Sequence, residues 1–214
     1  MTDRRVPVEM SDYSECLLEC NGLRKAGFQC WAFQPGMLFW AQEKWWGDRG
    51  TRPSPHEGID LCLYTDEPGH LLELDESTRI PVMFDGEITK IEKDYLGQSV
   101  YVSHGIHDGQ GRSLWTMYGH MKPAGQIKPG ERVRQGDIIA SLTVERKKTT
   151  GPRPHLHLTM AWVSPERALR ELNWETLHDP GIAVLIDPLH VIHCTYKILD
   201  ADASLEALPI EDTP

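Results

Sequence analysis

Residues 79–94, RIPVMFDGEITKIEKD, alternate apolar and polar side chains on either side of an Asp85-Gly86 pair. Period-two alternation marks half-buried strands, and Asp-Gly between two such runs is a hairpin signal. The stretch therefore predicts a hairpin turning at Asp85-Gly86. The same alternation continues outward in SVYVSH (99–104), SLWTMYGHM (113–121) and HLHLTMAWV (155–163). Between them GQIKPGERVRQGDIIASL (125–142) places turns at Pro129-Gly130 and Gln135-Gly136. Strands so closely spaced, with little helix between them, predict a mainly-β fold built on antiparallel sheet. Two helices are expected at its periphery, one over 13–25 ending before Gly27 and one over 164–178.

The flanks set the expected organisation. Residues 1–45 read as an N-terminal helical and aromatic extension packed on the core. Its run FQCWAFQPGMLFWAQEKWW (28–46) is expected to form core or cover. A main domain is expected over 46–196, followed by an acidic, solvated tail over 197–214. The 214 residues carry 32 acidic and 22 basic side chains, for a formal net charge of −10. That balance argues against nucleic acid as a partner, which needs a basic face to neutralise phosphates. No apolar run approaches the ~18 residues of a membrane span. The start, MTDRRVPVEMSDYSEC, has no apolar stretch of about 7–15 residues, so no export signal is expected in this chain. Five cysteines (Cys16, Cys20, Cys30, Cys62 and Cys194) cannot all pair within one chain and include no CxxC, which suits a reducing compartment.

Three short segments concentrate chemistry: PHEGID (55–60), YGHM (118–121) and PHLHL (154–158). Residues two apart on a strand share a face, so His155 and His157 should project side by side. They suit either a metal site or a packed, hydrogen-bonded pair. His56 and Asp60 resemble the start of a helical HExxH zinc motif, but the second histidine is absent and Pro55 and Gly58 disfavour helix. Three N/O ligands drawn from these groups would suit a catalytic zinc site with its fourth position open. Spare imidazoles could then serve as base and oxyanion stabiliser. Residue chemistry alone leaves open which of His155 and His157 is the ligand.

Taken in order, HxxxD, YGHM and HLH on a β-rich scaffold resemble the lysostaphin/LytM-type zinc metallopeptidases, which cut peptide bonds in peptidoglycan. WGDR (46–49), DGEI (85–88) and GERVRQGDIIA (130–140) extend the resemblance across roughly residues 46–162. It implies a barrel-sandwich hybrid core, one Zn2+ per chain on His56, Asp60 and His157, and a catalytic pair of His120 and His155. A peptidoglycan peptide or other peptide would be the substrate, with Arg49, His104 and Tyr118 as candidate substrate-binding residues. Action at the cell envelope follows from the resemblance, and a cytoplasmic role if the chain is complete. The family's tyrosine just upstream of the first ligand has no counterpart between Trp46 and His56, leaving that role to a group such as Arg49 or Arg52. Glu145–Arg153 carries a basic patch, read as a solvated loop or a groove edge for substrate carboxylates. The alternative is a non-catalytic zinc-binding regulator of wall hydrolases, distinguished by the absence of turnover. A lipoyl-type carrier with a modified Lys122 fits less well, because Pro123 interrupts the hairpin a carrier needs.

Overall fold

A computed structural model describes residues 8–143, 151–164 and 166–200. Helix α1 (Tyr13–Asn21) ends at Gly22, whose φ of 68° is the left-handed geometry glycine supplies without steric cost. The strands are β1 (Phe28–Phe33), β2 (Ile59–Leu61), β3 (Leu63–Asp66), β4 (Leu71–Glu73), β5 (Arg79–Pro81) and β6 (Gly86–Lys93). They continue as β7 (Gln98–His107), β8 (Ser113–Pro123), β9 (Arg132–Val133) and β10 (Ile138–Leu142). After these come β11 (Leu156–Val163), helix α2 (Ala168–Glu171), β12 (Ala183–Ile186) and β13 (Tyr196–Ile198). Nine strands form one sheet along β12-β11-β8-β7-β6-β9, with β10 joining β5 to β8 and β2 laid on the edge of β11. A four-stranded sheet, β13-β1-β3-β4, contains a parallel pairing, β1 with β13. The fold is mainly β and largely antiparallel, and no barrel closes among the described residues.

The predicted hairpin at Asp85-Gly86 is not formed. Strand β5 pairs with β10, whereas β6 pairs with β7 and β9, so the two halves of 79–94 diverge. Asp85 is held by the facing turn, its Oδ1 accepting the Gln135 N–H at 2.8 Å. Gly86 opens β6 without a positive φ. Its smallness serves close approach, since a Cβ there would sit 2.5 Å from the Ser103 carbonyl oxygen. The turns at Gly130 and Gly136 do form, with φ of 86° and 85°.

The second predicted helix is also corrected. α2 holds four residues because local side chains compete for its carbonyls and following amides. Asn173 Nδ2 and Thr176 Oγ1 donate to the Glu171 carbonyl, and Asn173 Oδ1 accepts from the amides of Glu175 and Thr176. Most of the basic patch, 145–150, and the tail beyond residue 200 lie outside the described residues. Arg153 is described and pairs with Glu73.

Alternation gives the central strands two apolar faces. Val100, Val102, Leu114, Tyr118, Leu156, Leu158 and Met160 fill the principal core, which also takes Trp31 and Phe33 of the aromatic run. Tyr101, Trp115, Met117, Ala161 and Val163 point the other way and are covered by Leu172, Leu177 and Ile182. This second face, continued along β8 and β11 past Met117 and Ala161, carries the polar cluster described next.

Candidate metal centre and its cavity

β2 lies antiparallel on the first residues of β11 and brings Asp60 opposite His157. Gly58 makes the approach possible: a Cβ there would fall 2.2 Å from the Leu158 carbonyl oxygen and 2.6 Å from Thr159 Oγ1. The His56 backbone is clamped to the preceding loop through His56 N–H to Ala41 O and Trp40 N–H to His56 O. His56, Asp60 and His157 thereby place one ligand atom each within 4.8 Å of one another, all buried. His157 Nδ1 lies 2.8 Å from Asp60 Oδ1 and 3.1 Å from His56 Nε2.

Outer contacts leave those atoms as the inward-facing ones. His56 Nδ1–H donates to the Leu38 carbonyl at 3.0 Å, freeing Nε2. His157 Nε2 meets Thr159 Oγ1 at 3.0 Å, so Nδ1 faces the cluster. Trp45 Nε1–H donates to Asp60 Oδ2 at 2.6 Å, and the Arg52 guanidinium stands 3.6 Å from the same oxygen. Burial alone would raise the Asp60 pKa. The imidazoles of His56 and His155, with hydrogen bonds from His157 and His56, outweigh it and hold the carboxyl well below the usual range. Two imidazoles and one carboxylate, with their far atoms tied down, fit a divalent cation of the zinc type.

His155 sits just before β11, two residues from His157, and opens on the same side. Its Nδ1–H donates to the Arg153 carbonyl at 2.7 Å and its Nε2 lies 3.7 Å from Asp60 Oδ1. Burial, with His120 nearby, pushes it down to about 4 against the pull of Asp60, so the ring is neutral at pH 7.

His120 reaches the cluster through a bulge. Between the pairs Gln98–Met121 and Val100–Tyr118, β8 has one residue more than β7, and His120 takes φ 65°. Regular alternation would send His120 to the core face with Tyr118. The extra residue returns it to the face of Gly119 and His157, the re-aiming that bulges commonly perform. Its ring lies 4.8 Å from that of His155 and 5.7 Å from that of His157, centroid to centroid. Asp94 accepts the His120 backbone N–H at 2.8 Å and places Oδ1 3.3 Å from Nδ1. Burial would raise the Asp94 pKa, but His120 and the Ser99 hydroxyl hold it below the usual carboxylate range.

These groups line a cavity of about 300 Å³ walled by Trp46, Tyr95 and Trp174 and carrying Arg52 and Glu57. The structure thus brings His56, Asp60, His120, His155 and His157 together. It does not bring the three substrate-binding candidates there. Tyr118 is fully buried on the opposite face, where its hydroxyl accepts the Met83 N–H. His104 shares that opposite face: Nδ1–H donates to the Asp85 carbonyl and Nε2 accepts from Thr116 Oγ1. A separate groove of about 960 Å³ runs past His104 along Asp85, Arg132 and Asp137, away from the imidazole cluster. Arg49 lines a small hollow with Gln34 and Lys44. Sequence reading missed Trp45, Asp94, Thr159 and Trp174. Only Thr159 carried a signal, being two residues beyond His157 on the same strand face.

The model of Peptidase family M23 matches residues 55–168, just over half of the chain. No match emerges among curated protein sequences. Among solved structures, a lytM protein from Ruminococcus gnavus ATCC 29149 is 20% identical, with 64% of this chain and 45% of that one covered and a TM-score of 0.40. Lysostaphin is 18% identical over 65% of this chain and 46% of its own, at 0.40. The catalytic domain of the prophage-encoded M23 protein EnpA from Enterococcus faecalis is 23% identical over 67% and 84%, at 0.39. The matched region spans less than half the length of the first two structures.

Proposed function

The chain belongs to peptidase family M23, and from that membership we propose that it is a zinc-dependent endopeptidase acting on stem or cross-link peptides of peptidoglycan. The observation that carries the reading is the junction of two clusters. The three ligand atoms of His56, Asp60 and His157 lie within 4.8 Å, and two further imidazoles open on the same cavity. The wall-peptide substrate follows the lysostaphin/LytM resemblance of the sequence. Zinc, when bound by His56 Nε2, Asp60 and His157 Nδ1, supplies Lewis acidity that polarises a scissile carbonyl and acidifies water.

The chain's own groups do the rest. His155, neutral and oriented by the Arg153 carbonyl, presents Nε2 to accept or share a proton. His120 faces it across the cavity as the second member of the pair. Arg52, fixed over the Trp46 ring at 4.7 Å and bonded to the Gly36 and Glu43 carbonyls, is a preorganised cation for a developing oxyanion or a substrate carboxylate. Trp46 and Trp174 form apolar walls of the same cavity.

The test is metal analysis after reconstitution, followed by mass spectrometry of products from whole peptidoglycan and cross-linked stem peptides. About one zinc per chain and defined peptide cleavage are expected. His56→Ala should lose both, and His120→Ala should keep zinc and lose turnover. Failure to bind zinc after reconstitution refutes the reading. Zinc without cleavage of several linkage types favours a wall-hydrolase regulator.

A further inference from the structure

Asp94 is more tightly held than a turn residue requires. Its Oδ1 accepts the amides of Leu96 at 2.9 Å and Gly97 at 2.7 Å, which closes the turn between β6 and β7. Its Oδ2 accepts the Ser99 hydroxyl at 2.6 Å and the His120 amide at 2.8 Å, contacts the turn does not need. Ser99 is itself fixed by Trp174 Nε1–H at 3.0 Å. A chain of contacts thus runs from the cavity wall at Trp174 through Ser99 and Asp94 to His120.

The same carboxylate governs both parts of His120. It anchors the amide of a residue whose left-handed φ of 65° costs a non-glycine on the order of 1 kcal/mol. It is also the acceptor facing His120 Nδ1, a buried atom with no aligned hydrogen-bond partner, at 3.3 Å. Which nitrogen of a neutral imidazole carries the proton is set by the bond the other nitrogen makes. With the proton on Nδ1, the nitrogen 3.3 Å from Asp94 Oδ1, the lone pair rests on Nε2, on the opposite side of a ring that lines the cavity.

We propose that Asp94 is a positioning residue for His120, fixing its ring and its Nδ1–H tautomer so that Nε2 is presented to the cavity. The functional meaning of that placement rests on the peptidase reading above. A carboxylate behind a base imidazole is a general device for selecting the productive tautomer, and loss of a general base commonly costs about 10²–10⁴ in rate.

The experiment uses the zinc-loaded full chain labelled with 15N-histidine, with His120 assigned by the missing signals of His120→Gln. Long-range 15N–1H correlation, at a pH where the ring is neutral, reads which nitrogen is protonated. Wild type should carry the proton on Nδ1. Asp94→Ala should release His120 to a mixed or Nε2–H tautomer, keep one zinc, and lower kcat by about 10²–10⁴-fold with KM within about threefold. An Nε2–H tautomer in the wild type overturns the proposal, as does an Nδ1–H tautomer that persists in Asp94→Ala. If that variant does not fold, the wild-type tautomer decides alone. If the wild type binds zinc but cleaves nothing, the peptidase reading fails while the tautomer readings still decide the role of Asp94.

Discussion

Replacing Trp45 by Phe would isolate the contact that aims Asp60 at the proposed metal site. The indole N–H donates to Asp60 Oδ2 at 2.6 Å, and the next cation, Arg52, stands 3.6 Å away. Phe keeps a ring against His155 and Trp46, whose ring centroids lie 5.2 Å and 5.5 Å from that of Trp45. The change therefore removes mainly one donor from a buried carboxylate. A hydrogen bond to a charged group is worth about 1.5–3 kcal/mol. Without it the free carboxylate can turn away from His56 and His157, and metal binding must restore its orientation. At about 1.4 kcal/mol per tenfold, full transfer of that cost to binding weakens zinc by about 10- to 150-fold. Competition against a chromophoric chelator measures this directly, and melting of the zinc-free protein separates any packing loss. Zinc affinity within about twofold of wild type would show that Trp45 does not orient the ligand.

Other outcomes follow from the same geometry. Burial holds His104 neutral, with its pKa down to about 4 from 6.5. The unfolded chain therefore takes up a proton that the native state refuses. Stability from this group is complete above pH 6.5 and falls as pH drops towards 4, by roughly 3 kcal/mol in all. His104→Gln should flatten that part of the urea-midpoint profile between pH 7 and 4.5, and an unchanged slope would contradict the assignment. Gly58→Ala must push the β2–β11 junction apart, because the new Cβ meets Leu158 O at 2.2 Å. It should cost about 1–3 kcal/mol or more and weaken zinc binding. Gly125→Ala, with nothing within 4 Å, should stay within about 0.5 kcal/mol in thermal unfolding. Equal melting temperatures for the two variants would remove the close-approach argument.

The gathering of His56, Asp60 and His157 into one cluster was legible because strand periodicity and motif order depend only on neighbours in sequence. His157 lies on β11 with Leu156 and Leu158 turned into the core, as the HLH spacing predicts. The failures have particular physical causes. Asp85-Gly86 has hairpin composition, but Gly86 is spent on close approach to Ser103 and His104, which no local pattern reveals. Tyr118 lies two residues before His120, and on a regular strand the two would share a face. The bulge at His120 breaks that parity, and it depends on the register against β7. Trp45 and Asp94 act through contacts made across folded loops, and nothing near them in sequence announces the partner.

The seam between β2 and β11 also sets an order of events. His56 and Asp60 precede His157 by 101 and 97 residues, and β11 is the strand on which β2 is laid. At about 5–20 residues per second, translation delivers the third ligand roughly 5–20 s after the first. During that interval the nascent chain offers an ion at most two of its three donors, and β2 has no neighbour in the large sheet. For the proposed zinc peptidase, metal capture would thus be a late, chelate-closing event that follows long-range strand pairing. Starving the cell of zinc during synthesis should leave a folded polypeptide competent for later loading.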